Sequence, residues 1–219
     1  IRDSLECYLL LDASGSMAYK SRGVSKHEYG AFLAASLGYL MNRQHDAVGL
    51  SVFTDKFVSQ IPPSTRGENF RRLLLMLDNI EVGRKSNLSK PLNDLADSLP
   101  RRGMVVLISD LLDNPDKVIQ GLRHLKFRGV DVVVFHILDR AELTFPFEGA
   151  SRFHDLETEE EFEAAPSMLR EHYLEEINQL VQLYARELRM VGIDYCLLET
   201  SKPLDFALLS YLSARSRVS

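Results

Sequence analysis

Asp12, Ser14 and Ser16 set one carboxylate and two hydroxyls at steps of two, in the run Leu9-Leu10-Leu11-Asp12-Ala13-Ser14-Gly15-Ser16-Met17, where an apolar stretch stops. Hard oxygens at that spacing suit Mg2+ or Mn2+, whereas zinc favours His or Cys. Gly15 lets the backbone turn tightly enough to aim both hydroxyls at one point. The same residue types also cap helices, so the loop by itself supports either a cation site or a helix cap. Two further stretches bear on the choice. Asp110 halts a second wholly apolar run, Met104–Ser109, and Gly83-Arg84-Lys85-Ser86-Asn87-Leu88 supplies another hydroxyl just before a helical segment.

These residues need a scaffold that brings three loops together. Leu5 to Leu11 is short, apolar and bounded by turn residues, which predicts a strand buried on both faces of a parallel sheet. Helical spacing predicts a helix over Lys26–Arg43, with Lys26 or His27 marking its start, further helices over Arg66–Leu77, Leu88–Leu99, Lys117–Phe127 and Pro203–Arg215, and a long helix that Pro166 opens and Gly192 closes. Strands are expected over Ala47–Phe53, Met104–Ser109, Val130–Leu138 and Ile193–Leu198, with Lys56–Ile61 as an antiparallel edge strand ended by Pro62-Pro63. Strands alternating with helices predict an α/β, doubly wound, mostly parallel six-stranded sheet, order 3-2-1-4-5-6, with helices on both faces. In that order the first and fourth strands are neighbours at the switch point, where ligands collect, and Asp12 and Asp110 face one crevice.

Residues 1–219 read as a single domain with an elaborated surface insertion around 139–165, which holds Phe145-Pro146-Phe147 and the acidic run Glu157–Glu163. Exposed aromatics on such a loop are candidate partner contacts, with burial of Phe145 and Phe147 as the alternative. Lys and Arg number 26 against 31 Asp and Glu, a net charge of −5 with the basic residues scattered, so no nucleic-acid footprint is present. No apolar stretch is long enough to cross a bilayer and no signal peptide is visible, so no membrane contact by this segment and a cytoplasmic setting are expected. The chain begins at Ile1 rather than Met, which fits a fragment of a longer protein and leaves an upstream anchor open. Cys7 and Cys196 fall in apolar runs and read as core thiols, as His136 reads as a core histidine.

Taken together, Asp12, Ser14, Ser16, Ser86 and Asp110 resemble the metal-ion-dependent adhesion site of the von Willebrand factor A domain, which has Asp-x-Ser-x-Ser, a later Thr and a later Asp. Ser86 stands in the Thr position, keeping the hydroxyl and losing the methyl. Over nearly the whole chain the sequence is similar to the bacterial family known as domain of unknown function fifty-eight. Tyr8–Met17, Asp46-Ala47-Val48-Gly49-Leu50, Val134–Asp139, Phe145-Pro146-Phe147-Glu148-Gly149 and Ile193-Asp194-Tyr195 carry that similarity. The resemblance implies a von Willebrand factor A-like fold, bound Mg2+ or Mn2+, and a protein–protein interaction role. It also implies association with MoxR-type AAA+ ATPases in chaperone-like assembly or activation. In such a site neutral hydroxyls do much of the direct coordination, and the cation keeps an affinity for a partner's Asp or Glu. Arg84 and Lys85 depart from the family pattern: two cations oppose a divalent ion while attracting an acidic partner.

Two alternatives are weighed against this. One is a metal-free scaffold of the same fold. The other is an aspartate-dependent phosphatase with Asp12 as nucleophile, a chemistry that needs a second Asp two residues on, where this chain has Ser14. No nucleophilic triad, zinc-protease helix or phosphate-cradling glycine loop stands out, so no enzymatic activity is expected. Asp113 reads as a cap of the turn that follows it.

Overall fold

The computed structural model describes residues 5–83, 87–99, 103–147, 151–154, 161–164 and 166–215. Strand β1 (Glu6–Asp12) leads through a short 3-10 turn (Gly15–Ala18) to helix α1 (Lys26–Arg43). Strands β2 (Ala47–Phe53) and β3 (Phe57–Ser64) follow, then α2 (Gly67–Asp78), α3 (Ser89–Ser98), β4 (Met104–Ser109), α4 (Pro115–Phe127) and β5 (Asp131–Leu138). Helix α5 (Arg140–Thr144), a hairpin of β6 (Ser151–His154) and β7 (Glu161–Ala164), α6 (Pro166–Met190), β8 (Asp194–Glu199) and α7 (Asp205–Arg215) complete the chain.

The six-stranded sheet runs β3-β2-β1-β4-β5-β8, all parallel except the β2–β3 pair. Counting only its own strands, this is the order expected from the sequence. The chirality of parallel crossovers and the apolar character of each strand leave few other arrangements. Successive strand residues point to opposite faces, and here both faces are apolar. Cys7, Leu9 and Leu11 of β1, with Met104, Val106 and Ile108 of β4, pack under α1, α2 and α7. Leu10, Val105, Leu107, Val132 and Val134 pack on the other side under α3, α4 and α6. Cys7 and Cys196 are buried on strands that are not neighbours, so no disulfide joins them.

Two expectations change. Pro62-Pro63 does not end β3, which continues to Ser64. An edge strand tolerates proline, and the β2–β3 register slips between Val48 and Leu50. Asn69 of α2 donates its side-chain amide to Val48 O at 2.8 Å and Pro62 O at 3.2 Å, satisfying carbonyls at this irregular stretch. The segment read as a surface insertion also begins with packed structure, because Ala141 and Phe145 are buried. Phe145 meets Tyr173 of α6 at 4.9 Å and Phe147 at 5.0 Å between ring centroids.

At Gly49 the backbones of β2 and β3 leave no room for a side chain. A Cβ there would lie 2.7 Å from Ile61 O and 2.8 Å from Pro63 N, both backbone atoms that cannot rotate away. Gly49→Ala is expected to lower stability by about 1–3 kcal/mol, as overpacking does. Urea denaturation of the two proteins checks this, and an unchanged midpoint would contradict it.

Candidate functional site

Strand register builds the site. Leu11 of β1 pairs with Ile108 of β4, so Asp12 falls beside Ser109 and Asp110 lies one step past the strand end. Ser109 Oγ donates to Asp12 Oδ2 at 2.6 Å, and Ser14 N donates to Asp12 Oδ1 at 2.8 Å. Ser14 and Ser16 flank Gly15 on the short turn, their hydroxyl oxygens 3.2 Å apart. Leu112 N donates to Asp110 Oδ1 at 3.2 Å, and Leu111 N to Ser109 Oγ at 3.0 Å. Between them Leu111 sits at φ 53°, a left-handed conformation that costs a branched residue energy. Tyr184 of α6 holds that turn by donating its hydroxyl to Leu111 O at 3.1 Å.

The third loop is anchored on both flanks. Gly83 N donates to Ala13 O at 2.7 Å, and Leu88 N donates to Asp113 Oδ2 at 2.7 Å. Asp113 is therefore a tether for the incoming chain, and Asn114 caps α4 by accepting from Lys117 N. Ser86, Arg84 and Lys85 lie outside the described residues. Asp12, Ser14, Ser16 and Asp110 share one rim of the sheet. Phe145 is only 5% exposed and Phe147 is half-buried, so of the two Phe147 is the one that offers surface.

Lys26 is the residue that sequence reading missed. It is completely buried, and its ammonium donates to Asp110 Oδ2 at 2.8 Å and to Glu142 Oε1 at 2.6 Å. A faint signal existed: Lys26 is the first residue of α1, where a cation opposes the helix dipole and needs an anion nearby. Glu142 also belongs to the capping box of α5, in which its Oε2 accepts from Asp139 N at 2.7 Å. Asp139 in turn accepts from Ser21, Ala141 N and Thr200, fixing α5 against the ends of β5 and β8.

Burial pushes the Asp12 carboxyl up to about 7, and the Asp110 charge adds to the rise while Ser109 and Ser14 oppose it. For Asp110 burial acts upward too, yet the Lys26 charge and hydrogen bond, helped by Ser16, hold it below the usual carboxylate range. Burial also works against the Lys26 ammonium, but Asp110 and Glu142 outweigh it and keep the lysine charged. Burial lowers His136, behind the rim, to about 4, and its Nδ1 shares a 2.7 Å hydrogen bond with the Tyr195 hydroxyl. It is a neutral core histidine, as expected.

The donor set suits a hard cation. Two oxygens in adjacent positions around Mg2+ stand about 3 Å apart, close to the Ser14–Ser16 separation. A carboxyl held near neutrality by burial and a like charge also gains from a nearby cation. Among the described residues no three His, Cys, Asp or Glu side chains group as a metal cluster, so hydroxyls would have to supply much of the coordination.

The family described as protein of unknown function DUF58 matches residues 2–180. Uncharacterized protein Rv1480 of Mycobacterium tuberculosis is 23% identical over 218 residues, covering 97% of this chain and 68% of that protein. Mb1516 of Mycobacterium bovis, also uncharacterized, gives the same figures. Among solved structures, the conserved hypothetical protein BatB from Bacteroides thetaiotaomicron superposes with a TM-score of 0.66 at 15% identity, over 98% of each chain. An aerotolerance-related membrane protein from Bacteroides fragilis gives 0.64 at 19% identity, again over 98% of each. The VWA domain of SpRpn10 gives 0.50 at 12% identity, over 99% of this chain and 97% of that one. At these identities the structures establish a von Willebrand factor A-like fold.

Asp12 generates a pH signature. Its folded value lies above its ordinary 3.8, so the folded state binds more protons than the unfolded state from there to about 7. Its contribution to stability is therefore greatest at low pH and is lost as pH rises through that window. In metal-free buffer, Asp12→Asn should gain on the wild type by up to about 1.4 kcal/mol per pH unit across the window and level off above it. Urea titrations at fixed pH values read the difference; a gap that does not change with pH would contradict the assignment.

Proposed function

The chain belongs to the family described as protein of unknown function DUF58, and from that premise we propose that it is a metal-dependent protein–protein interaction domain. The observation that carries this reading is the meeting of Asp12, Ser14, Ser16 and Asp110 at the switch point between β1 and β4, with more negative charge than Lys26 alone neutralises. Ser14 and Ser16 would hold Mg2+ or Mn2+ directly, Ser86 is the third hydroxyl in the proposal, and Asp12 and Asp110 would balance charge and orient the hydroxyls. The ion would supply a Lewis-acidic point for a carboxylate of the partner. Phe147 and the Arg84-Lys85 pair are the proposed flanking contacts, one apolar and the other attractive to acid.

The partner we propose is an AAA+ ATPase of the MoxR type, with this domain as adaptor in the assembly or activation of a client, and with no enzymatic step of its own. Among the described residues no helix is long and apolar enough to cross a membrane. We place the domain on the cytoplasmic side, a setting compatible with an anchor elsewhere in a longer protein. A second reading, the same scaffold working without a divalent ion, is favoured by one observation: Lys26 already sits on Asp110.

Calorimetric titration with Mn2+ separates the two. Wild type should bind one equivalent saturably, and Ser14→Ala/Ser16→Ala should bind at least tenfold more weakly while keeping its melting temperature within a few degrees. Equal binding by both proteins, or none by the wild type, would overturn the metal-dependent reading. Phosphate release from an aryl phosphate that disappears in Asp12→Asn would overturn the non-enzymatic one.

A further inference from the structure

Each carboxylate oxygen at the rim has a donor. Asp12 Oδ1 and Oδ2 accept from Ser14 N and Ser109 Oγ, and Asp110 Oδ1 accepts from Leu112 N. Three of these four oxygens are therefore satisfied by neutral groups belonging to the two strand ends and the loops that follow them. The fourth, Asp110 Oδ2, is held by a charged group from a different element, the Lys26 ammonium at 2.8 Å. Lys26 has no access to water, so its charge must stay on a carboxylate. Glu142 Oε1, at 2.6 Å, is its second carboxylate.

We propose that Lys26 is the resident cation of the rim, competing with a divalent ion for Asp110, and that Glu142 sets how strongly it competes by offering the ammonium an alternative anchor. The inference rests on the metal-dependent reading for its physiological meaning. An ion arriving beside Ser14 and Ser16 meets a fixed positive charge on the carboxylate it would share. It binds as the ammonium shifts its weight from Asp110 to Glu142. Lys26 is thus a positioning residue that sets metal affinity, and α5, which carries Glu142, is mechanically part of the site. Because Phe145 ends α5 and packs on Phe147 and Tyr173, the same bridge connects rim occupancy to the aromatic loop.

The signature is a pair of opposite effects. Lys26→Met keeps the stem and removes the charge, and should tighten Mn2+ binding at least tenfold. Glu142→Gln keeps an acceptor and removes the alternative anchor, and should weaken it about threefold or more. Damage to the fold would weaken both. In the Lys26→Met background, Glu142→Gln should change affinity by less than twofold, because Glu142 acts through the lysine. Mn2+ titration of the four proteins reads all of this. If Lys26→Met folds only with Mn2+ present, the ion replaces the ammonium as proposed; if it folds neither with Mn2+ nor without it, the proposal fails. Wild type that does not bind while Lys26→Met does would refute the metal-dependent reading and uphold this one. Wild type that binds as tightly as Lys26→Met would refute this one and leave the other standing. Binding by neither protein refutes both.

Discussion

A fully buried ammonium between two carboxylates organises the functional end of this molecule. Lys26 comes from the start of α1, Asp110 from the end of β4 and Glu142 from α5, so one charge fastens a helix, a strand end and the segment after β5. Water cannot reach it, and an uncompensated charge in that setting is costly, which makes the three elements hard to separate. The bridge also leaves the rim unevenly charged: Asp110 is stabilised as an anion while Asp12, a short distance away and served only by neutral donors, is driven toward protonation.

Around that bridge, backbone groups hold the loops. The hydroxyl turn after β1 receives Gly83 through a main-chain hydrogen bond, and Asp113 receives Leu88, so the chain enters and leaves the 84–86 segment at fixed points beside the rim. The turn after β4 is held left-handed at Leu111 by Ser109, Asp110 and the Tyr184 hydroxyl. Strain kept in place by several independent hydrogen bonds is a mark of sites whose geometry matters more than their stability. It also makes α6, through Tyr184 and Tyr173, a second support of the rim beside α5.

Much of the architecture was legible because its signals are local or periodic. Apolar runs such as Met104–Ser109, buried on both sides, have no other comfortable place than the interior of a parallel sheet. Lys26–Arg43 and Met104–Ser109 have the boundaries that pattern alone predicted. The failures are equally physical. Pro62-Pro63 reads as a terminator, yet β3 is an edge strand that donates to the ladder on one side only and so runs on to Ser64. For Phe145 the pattern leaves surface contact and burial both open, and Tyr173, many residues away, decides for burial by covering it. Asp113 reads as a cap of the turn after it, and its Oδ1 does accept from Asn114 N, but its Oδ2 reaches back to Leu88 N and the side chain that caps α4 is that of Asn114.

The sequence by itself determined the alternation of strands and helices, the strand order, and the placing of Asp12 and Asp110 at neighbouring strand ends, since each follows from periodicity and the handedness of crossovers. Only the tertiary structure decided that Ser109 would hold Asp12, that Tyr184 would hold Leu111, and that Lys26 would be swallowed whole between Asp110 and Glu142. Those partners are separated by 97, 73, 84 and 116 positions. No local pattern encodes such pairings; they exist because packing first excludes water and then leaves a buried charge or polar group such as Lys26 or Asp12 only a few neighbours that can satisfy it.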